Sequence, residues 1–533
     1  MISALAWLPR GAAKTTPEVT EPTAEDIEHV KDRADAEAGE TSADVDSDGE
    51  APVKPKSTRA KAKAAARAVG DLAGGMDELD MDNYDDDSDE DGAAARLFGS
   101  TAADRVFENN ADDPELEGDE ESDEEIEDFT IRDTDLLFLA ARTEDDVSHM
   151  EVWVFEESDD PGEDGNMYVH HDLMLPAFPL CMAWMDCYPD PSMASQHGNF
   201  VAIGTFRPEI EIWNLDVLDA VAPAGMLGGL KSEQLEPEEG ASAAGDSKKK
   251  KKKKKAPAKP VLKEGSHEDA VLGMCWNYNF RNVLASGSAD CTVKVWDVAQ
   301  QKCDRTLHHH DGKVQAVAWN PVEPQVLLSG GFDRTAQLVD MRTENGATVE
   351  VPLTADCECL VWDLKNPSCF VVSSEDGLVV CHDVRMLMDK SKKSKSTVYT
   401  LGAHDAATCA MSFNPVCHEL LATASTDKTV KMWDCTGGKP SLLHTADLKI
   451  GALFAMGFCK DAPHLLAAGG SKGVVSVWDI MTKASVANRF DDSTQYPRSR
   501  VRQNKMSCLR MDYNIDGDSK KRENVWSDSP EDK

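Results

Sequence analysis

The stretch "SGSADCTVKVWD", Ser286 to Asp297, brings serines, Asp290 and Trp296 within twelve positions, and His267 lies nineteen residues before Ser286. A hydroxyl, an imidazole and a carboxylate are the parts of a nucleophilic triad, in which the carboxylate orients the ring that takes the hydroxyl proton. Repetition argues against that use. A near-copy stands at Thr423 to Asp434, "TASTDKTVKMWD", and a looser one, "AAGGSKGVVSVWD", ends at Asp479. An active site is built once, so a motif that returns at intervals is read first as architecture. The other chemistry-bearing groups fare no better. In "HHH", His308 to His310, neighbouring side chains on a strand point to opposite faces, which disfavours a metal site. Cys357 and Cys359 share a strand face but lack a second pair, so buried packing is expected instead of zinc. The Gly-Lys pair in "CTGGKPS" lacks the earlier glycine and is followed by proline, which excludes a phosphate loop. The expectation is a protein without catalytic residues, metal, cofactor or small-molecule substrate.

The elements that carry these residues are short. From Phe129 onward, runs rich in Val, Ile, Leu and aromatics alternate with Gly, Asp, Asn and Pro, the pattern of many antiparallel strands. Aligning their ends gives Trp153, Trp213, Trp296, Val339, His382, Trp433 and Trp478, with spacings of 60, 83, 43, 43, 51 and 45 residues. The two long spacings contain inserted polar sequence. A base period in the low forties with a Trp-Asp ending resembles the WD40 repeat, one four-stranded blade of a β-propeller. The fold class is therefore all-β: a seven-bladed WD40 propeller over residues 129–490 with disordered appendages. In "TVKVWD", alternation puts Val293 and Val295 on one face and Thr292, Lys294 and Trp296 on the other.

The WD40 resemblance implies an internal hydrogen-bonded tetrad of His267, Ser286, Asp290 and Trp296, and a second of His404, Thr423, Asp427 and Trp433. The fourth unit keeps His310, Ser329 and Asp333 but has Val339 for tryptophan. The fifth keeps Asp376 with His382 at the tryptophan position, and the seventh has Lys472 where aspartate is expected. Those blades then rest on apolar packing or on other pairs. Lys313, Arg334 and Lys428 sit beside the tetrad positions on one face and are candidate partner contacts.

Charge is concentrated outside the repeats. The chain of 533 residues carries −41, and residues 1–128 hold 38 Asp/Glu against 12 Lys/Arg, or −26. This arm has too little apolar surface to offset chain-ordering entropy and is expected to be mostly disordered, with a docking segment at residues 3–10. Its carboxylates imitate a phosphate backbone and suit basic partners such as histones or ribosomal proteins. Ser47, Ser88 and Ser122 are each followed by acidic residues and are candidate phosphorylation sites, each adding about two negative charges. An insert at about residues 229–264 holds eight consecutive lysines, Lys248, Lys249, Lys250, Lys251, Lys252, Lys253, Lys254 and Lys255. They repel one another, cannot fold, and read as a nuclear import signal compatible with nucleic-acid contact. "KPKSTRAKAKAAAR", Lys54 to Arg67, is a second basic patch, and residues 491–533 form a polar tail. No run is long and apolar enough to span a membrane, and fourteen cysteines without a CxxC pair suit a reducing compartment.

Several non-repeat segments are more distinctive: "MISALAWLPRGAAKTTPE", "LDMDNYDDD", "MYVHHDLMLPAFPLCMAWMD", "PEIEIWNLDVLDA" and "EGSHEDAVLGMCWN" after the lysine tract. These resemble the periodic tryptophan protein 1 family. The resemblance implies a scaffold in the nucleus and nucleolus, linked to ribosome biogenesis, rRNA processing and regulation of rDNA transcription through chromatin. Its partners would be ribosome-assembly proteins and pre-ribosomal particles, with histones, rDNA chromatin and RNA as further candidates. The alternative is a chromatin- or histone-binding transcription regulator without a role in ribosome assembly. One question of closure remains at this level: Phe129 to Arg132 is expected to complete the last sheet, with "SALAWLP" docking elsewhere on the ring.

Overall fold

The computed structural model describes residues 1–19, 130–145, 147–157, 165–218, 220–230, 262–343, 347–388, 396–489 and 508–511. The arm's candidate phosphorylation sites Ser47, Ser88 and Ser122, the patch Lys54 to Arg67 and the tract Lys248 to Lys255 lie outside these residues. Among the described residues no helix is long and apolar enough to cross a membrane.

The alternating runs are strands that bury both faces, because each sheet is sandwiched between two neighbours. Val293 and Val295 pack with Val314 and Leu327 on one side, while Trp296 packs with Trp276 and Leu284 on the other. Seven four-stranded antiparallel sheets result, arranged as the blades of a β-propeller. The third strands are Val147–Glu156, Ile210–Asn214, Val293–Asp297, Thr335–Asp340, Leu378–Asp383, Thr429–Asp434 and Val475–Asp479. They carry Trp153, Trp213, Trp296, Val339, His382, Trp433 and Trp478.

Closure differs from the sequence expectation. Ile2–Trp7 is the inner strand of blade one, antiparallel to Leu136–Glu144, with Ala6 opposite Leu139 and Trp7 opposite Phe138. Thr130 to Arg132 forms no strand; the Asp135 carboxylate accepts the Arg132 amide at 2.8 Å and folds the segment into a turn. The outer strand of blade seven is Cys508–Met511, paired with Val475 to Trp478. The ring thus draws on both the segment read as a docking arm and the segment read as a polar tail, and it extends past residues 129 and 490 on both sides.

The physical reason is a repeated seam. A glycine on the second strand of one blade receives the first residue of the next inner strand: Gly204 meets Val271, Gly287 meets Val314 and Gly330 meets Cys357, each leaving no room for a side chain on the glycine. Gly469 meets Ile2 in the same way. The register shifts between Ile2 and Ala4 as it does between Val271 and Gly273 and between Val314 and Ala316. Trp7 donates its indole N–H to the Gly457 carbonyl at 2.9 Å, matching Trp319 on Cys275 and Trp362 on Ala318, both at 3.1 Å. Ile2–Trp7 therefore meets every steric and hydrogen-bonding demand of an inner strand.

Connections between consecutive blades and turns between second and third strands share one face, here the upper; connections between first and second and between third and fourth strands share the lower. The lysine insert leaves the upper face after Gly225–Leu227 and rejoins before Val271–Trp276. Its ends are pinned by an antiparallel bridge between Leu230 and Leu262 and by the Lys263 amide on the Gly229 carbonyl at 2.8 Å. The acidic arm is instead an insertion between the first two strands of blade one, so it begins and ends below. There Arg10 N–H reaches Asp461 at 2.8 Å, Lys14 N–H reaches Asp216 at 3.1 Å, and Glu18–Val19 pairs in parallel with Val217–Leu218. The returning chain ties back through the Ile131 amide on the Thr15 carbonyl at 2.8 Å.

Candidate functional site

In blade three a turn after Ser288 brings Asp290 under His267, which precedes the inner strand. His267 Nδ1 lies 2.9 Å from Asp290 and Nε2 lies 2.7 Å from Ser286 Oγ. Trp296 Nε1 donates to the same Oγ at 2.8 Å. Because an indole N–H only donates, Ser286 accepts from it and passes its own hydrogen to His267 Nε2, which leaves Nδ1–H to donate to Asp290. Thr292 completes the network through its hydroxyl on Asp290 at 2.6 Å. Burial lowers the His267 pKa and keeps the ring neutral. For Asp290 burial acts upward, but the hydrogen bonds it accepts from His267, the Thr292 hydroxyl and the Glu268 amide outweigh it and hold the carboxylate well below its usual range.

Blade six repeats the arrangement. His404 reaches Asp427 and Thr423 at 2.8 Å each, Trp433 donates to Thr423 at 3.0 Å, and Thr429 donates to Asp427 at 2.7 Å. The Asp-His-Ser order is that of a hydrolase triad, yet Ser286, Ser329 and Thr423 are completely buried, and in blades three and six an indole occupies the hydroxyl. What the arrangement does chemically is satisfy every buried polar group it contains.

Blade four shows a substitution that the sequence reading missed. His310 reaches Asp333 and Ser329 at 2.8 Å each, and with Val339 in place of tryptophan, His309 Nε2 approaches Ser329 Oγ at 2.8 Å. His309 therefore supplies the donor that tryptophan supplies elsewhere. The two rings converge, with centroids 4.6 Å apart, because the residues lie in the connection before Val314–Trp319 and not on a strand; the expectation of opposite faces is corrected accordingly. Burial, with His310 adding to it, lowers the His309 pKa to about 4.

Cys357 and Cys359 also differ from expectation. The register shift between them sends Cys357 into the core shared with Leu328 and Leu360 and Cys359 toward Met411 and Leu421, so they do not share a face. Burial raises the Cys359 thiol to about 11. Among the described residues no group of three metal-ligating side chains converges.

Blades one and two use another device. Trp153 and Trp213 donate to the carboxylates two residues earlier on their own strands, Glu151 at 2.9 Å and Glu211 at 3.1 Å. Glu151 is also held by Arg142 at 3.2 Å; burial raises its pKa, opposed by Arg142. The signal was present as Glu-x-Trp in "MEVWVF" and "IEIWNL". In blade five Thr354 donates to Asp376 at 2.6 Å, and His382 stacks on Phe370 with centroids 5.6 Å apart. In blade seven Lys472 donates to the Lys449 carbonyl at 3.0 Å.

Lys313, Arg334 and Lys428 are all exposed on the upper face. Arg334 and Lys428 follow the turn aspartates with φ of 60° and 75°, and Cys291, Gly377 and Gly473 hold the matching position at 66°, 78° and 73°. An L-residue adopts this conformation at a cost, which glycine avoids.

Comparison with known proteins agrees with the architecture. Residues 258–297 match the model of the WD domain, G-beta repeat, and residues 298–433 match that of the EIPR1 beta-propeller. The chain is 37% identical to a WD repeat-containing protein of Schizosaccharomyces pombe, covering 92% of this chain and 91% of the relative. It is 31% identical to periodic tryptophan protein 1 of Saccharomyces cerevisiae, covering 94% and 92%. With the Drosophila melanogaster periodic tryptophan protein 1 homolog, identity is 28% over 92% and 96%. Matched over more than nine-tenths of its length and built around recurring tryptophans, the chain belongs to the periodic tryptophan protein 1 family of WD-repeat proteins.

Proposed function

We propose that this chain is a non-catalytic nucleolar scaffold of ribosome biogenesis, acting in rRNA processing and pre-ribosome assembly and in the regulation of rDNA transcription. Membership of the periodic tryptophan protein 1 family is the observation that carries this reading, through the role the resemblance implies. The buried state of every tetrad hydroxyl supports a protein that binds and does not turn over substrate. A ring of loops suits protein partners, the acidic arm suits basic ribosomal proteins, and the lysine tract suits nuclear import and RNA.

A chromatin- or histone-binding regulator without a role in assembly is the competing reading, favoured by the −26 carried on residues 1–128. Gradient sedimentation of cell extract separates the two. The scaffold reading expects the protein in large pre-ribosomal fractions. Its confinement to light, nucleosome-sized fractions would favour the chromatin reading. Deleting Lys248 to Lys255 is expected to leave folding intact and to reduce nuclear accumulation in live-cell imaging.

A further inference from the structure

At the lower rim, neighbouring blades are latched by an asparagine that follows an inner strand. Asn277, Asn320 and Asn414 each donate a side-chain N–H to a carbonyl of the next blade: Pro324 at 2.8 Å, Pro367 at 2.9 Å and Pro463 at 2.6 Å. Blade five has Asp363 at this position, and His418 stands where the next blade would carry proline. An ionised carboxylate only accepts, so the latch cannot form between blades five and six. A cavity of about 340 Å³ lies there, its lining including Asp363, Cys369, Cys381, Tyr399, His418 and Cys435.

Thiols stand around this cavity where other blades hold apolar side chains. Cys369 opens the second strand of its blade, a place taken by Val283, Val326, Leu420 and Leu465 in blades three, four, six and seven. Cys381 corresponds to Val295, Leu338, Met432 and Val477, two residues before the aspartate that ends each third strand. Both are free cysteines. Cys369 is held as a packing thiol would not be. Asp363 accepts the Asn366 backbone N–H at 3.1 Å, the Cys369 amide donates to the Asn366 carbonyl at 2.7 Å, and the Asn366 side-chain amide donates to Cys369 Sγ at 3.1 Å. Cys381 lies diagonally across the ladder, since Cys369 is opposite Asp383 and Cys381 is opposite Val371. Its thiol donates to the Cys369 sulfur and lowers the Cys369 pKa, against burial and the charges of Asp383 and Asp363. Burial instead raises Cys181 and Cys409 to about 12. Two donors on one sulfur stabilise its anion, which is the nucleophilic form.

We propose that Cys369 is a modification site for hydroperoxides, its sulfur being oxidised to a sulfenic acid inside the cavity between blades five and six. The thiolate attacks one peroxide oxygen; the S–O bond forms as the O–O bond breaks, so sulfur loses the two electrons that the peroxide gains. The leaving hydroxide takes up the proton that Cys369 gave up on ionising and departs as water. A diagonal pair stands wider than a disulfide spans without backbone movement, so the product is the sulfenic acid and not a Cys369–Cys381 disulfide. Asn366 is a positioning residue, acting through the sulfur it donates to. The assignment goes beyond the scaffold reading and does not depend on which cellular process the ring serves.

The test uses the full chain and hydrogen peroxide as probe, with dimedone present to trap sulfenic acid and peptide mass spectrometry to place the adduct. Cys369 should be labelled on the order of tenfold faster than the other cysteines. Cys369→Val, which installs the residue of blades three and four, should lose that adduct and melt like the parent. Asn366→Ala should slow labelling severalfold and move the midpoint of its pH profile upward, a shift that altered packing alone would not produce. Labelling spread evenly over the cysteines would overturn the proposal. So would an unchanged rate and pH profile in Asn366→Ala, or a Cys369–Cys381 disulfide in place of the adduct.

Discussion

Blade three and blade two each bury a tryptophan at the same register position, but the indole N–H of Trp296 goes to a serine on the neighbouring strand whereas that of Trp213 goes to a glutamate two residues back on its own strand. The first solution ties three segments together, since the serine also bonds a histidine that bonds a turn aspartate. The second keeps its acceptor on one strand and needs no histidine or turn aspartate. The tryptophan is thus what blades one, two, three, six and seven share at this position, and its polar partner is a local choice. Blade four makes the same point from the other side: without tryptophan, its serine recruits His309.

Three measurements sharpen that comparison. The largest effect is expected from the tryptophans themselves: Trp296→Ala and Trp213→Ala should each cost about 3–5 kcal/mol in urea unfolding, because both side chains are fully buried. Near-equal losses would support packing as the shared demand, and a much smaller loss at Trp213 would break the equivalence. The acceptors should then separate. Ser286→Ala strands the indole N–H of Trp296 and Nε2 of His267 and should cost about 1–3 kcal/mol, whereas Glu211→Gln retains a carbonyl acceptor and should cost less than about 1 kcal/mol. A loss at Glu211→Gln as large as at Ser286→Ala would show that the carboxylate charge, not its acceptor oxygen, is what blade two requires.

The smallest effect concerns Glu358 on the inner strand of blade five, a blade with neither device complete. Burial, followed by the charges of Glu375 and Asp356, raises its pKa from 4.5 to about 7. Between those values the folded state holds more protons than the unfolded, so stability declines as pH rises through that window. Glu358→Gln removes the decline; its melting temperature, relative to the parent, should be higher at pH 8 than at pH 5. A constant difference across pH would remove Glu358 as the source.

How much of this was legible follows from which signals repeat. The strand ends carried the blade count, because Trp-Asp recurs at Trp296, Trp433 and Trp478 and every other unit keeps either the tryptophan or the aspartate. A second tryptophan series was equally present and went unread: Trp7, Trp276, Trp319 and Trp362 end inner strands, and Trp184 lies on another that runs on to Cys187. The resemblance of "LAWLP" to "VAWNP" at Trp319 would have placed Ile2–Trp7 in the ring. Cys508–Met511 offered no such cue, being four residues without a recurring partner motif. His309 escaped because strand alternation was applied to residues that lie in a connection, and the Cys357–Cys359 pair because the bulge between them breaks the period of two.

The seam between blades one and seven also has a consequence for how the molecule is made. Trp7 and Gly457 are 450 residues apart in sequence, and the last sheet lacks its outer strand until residue 511 has been synthesised. The first strand to emerge must therefore wait, its apolar face unpartnered, for nearly the whole chain to follow. Loop closure over such a span adds only slowly to the entropic cost, so the delay is one of time more than of free energy. During it, the apolar face of Ile2–Trp7 and the unfilled edge of Val475–Asp479 are the segments most open to pairing with another copy. Completion of the ring is the event that ends this exposure, and a nascent chain halted anywhere before its final strand keeps it.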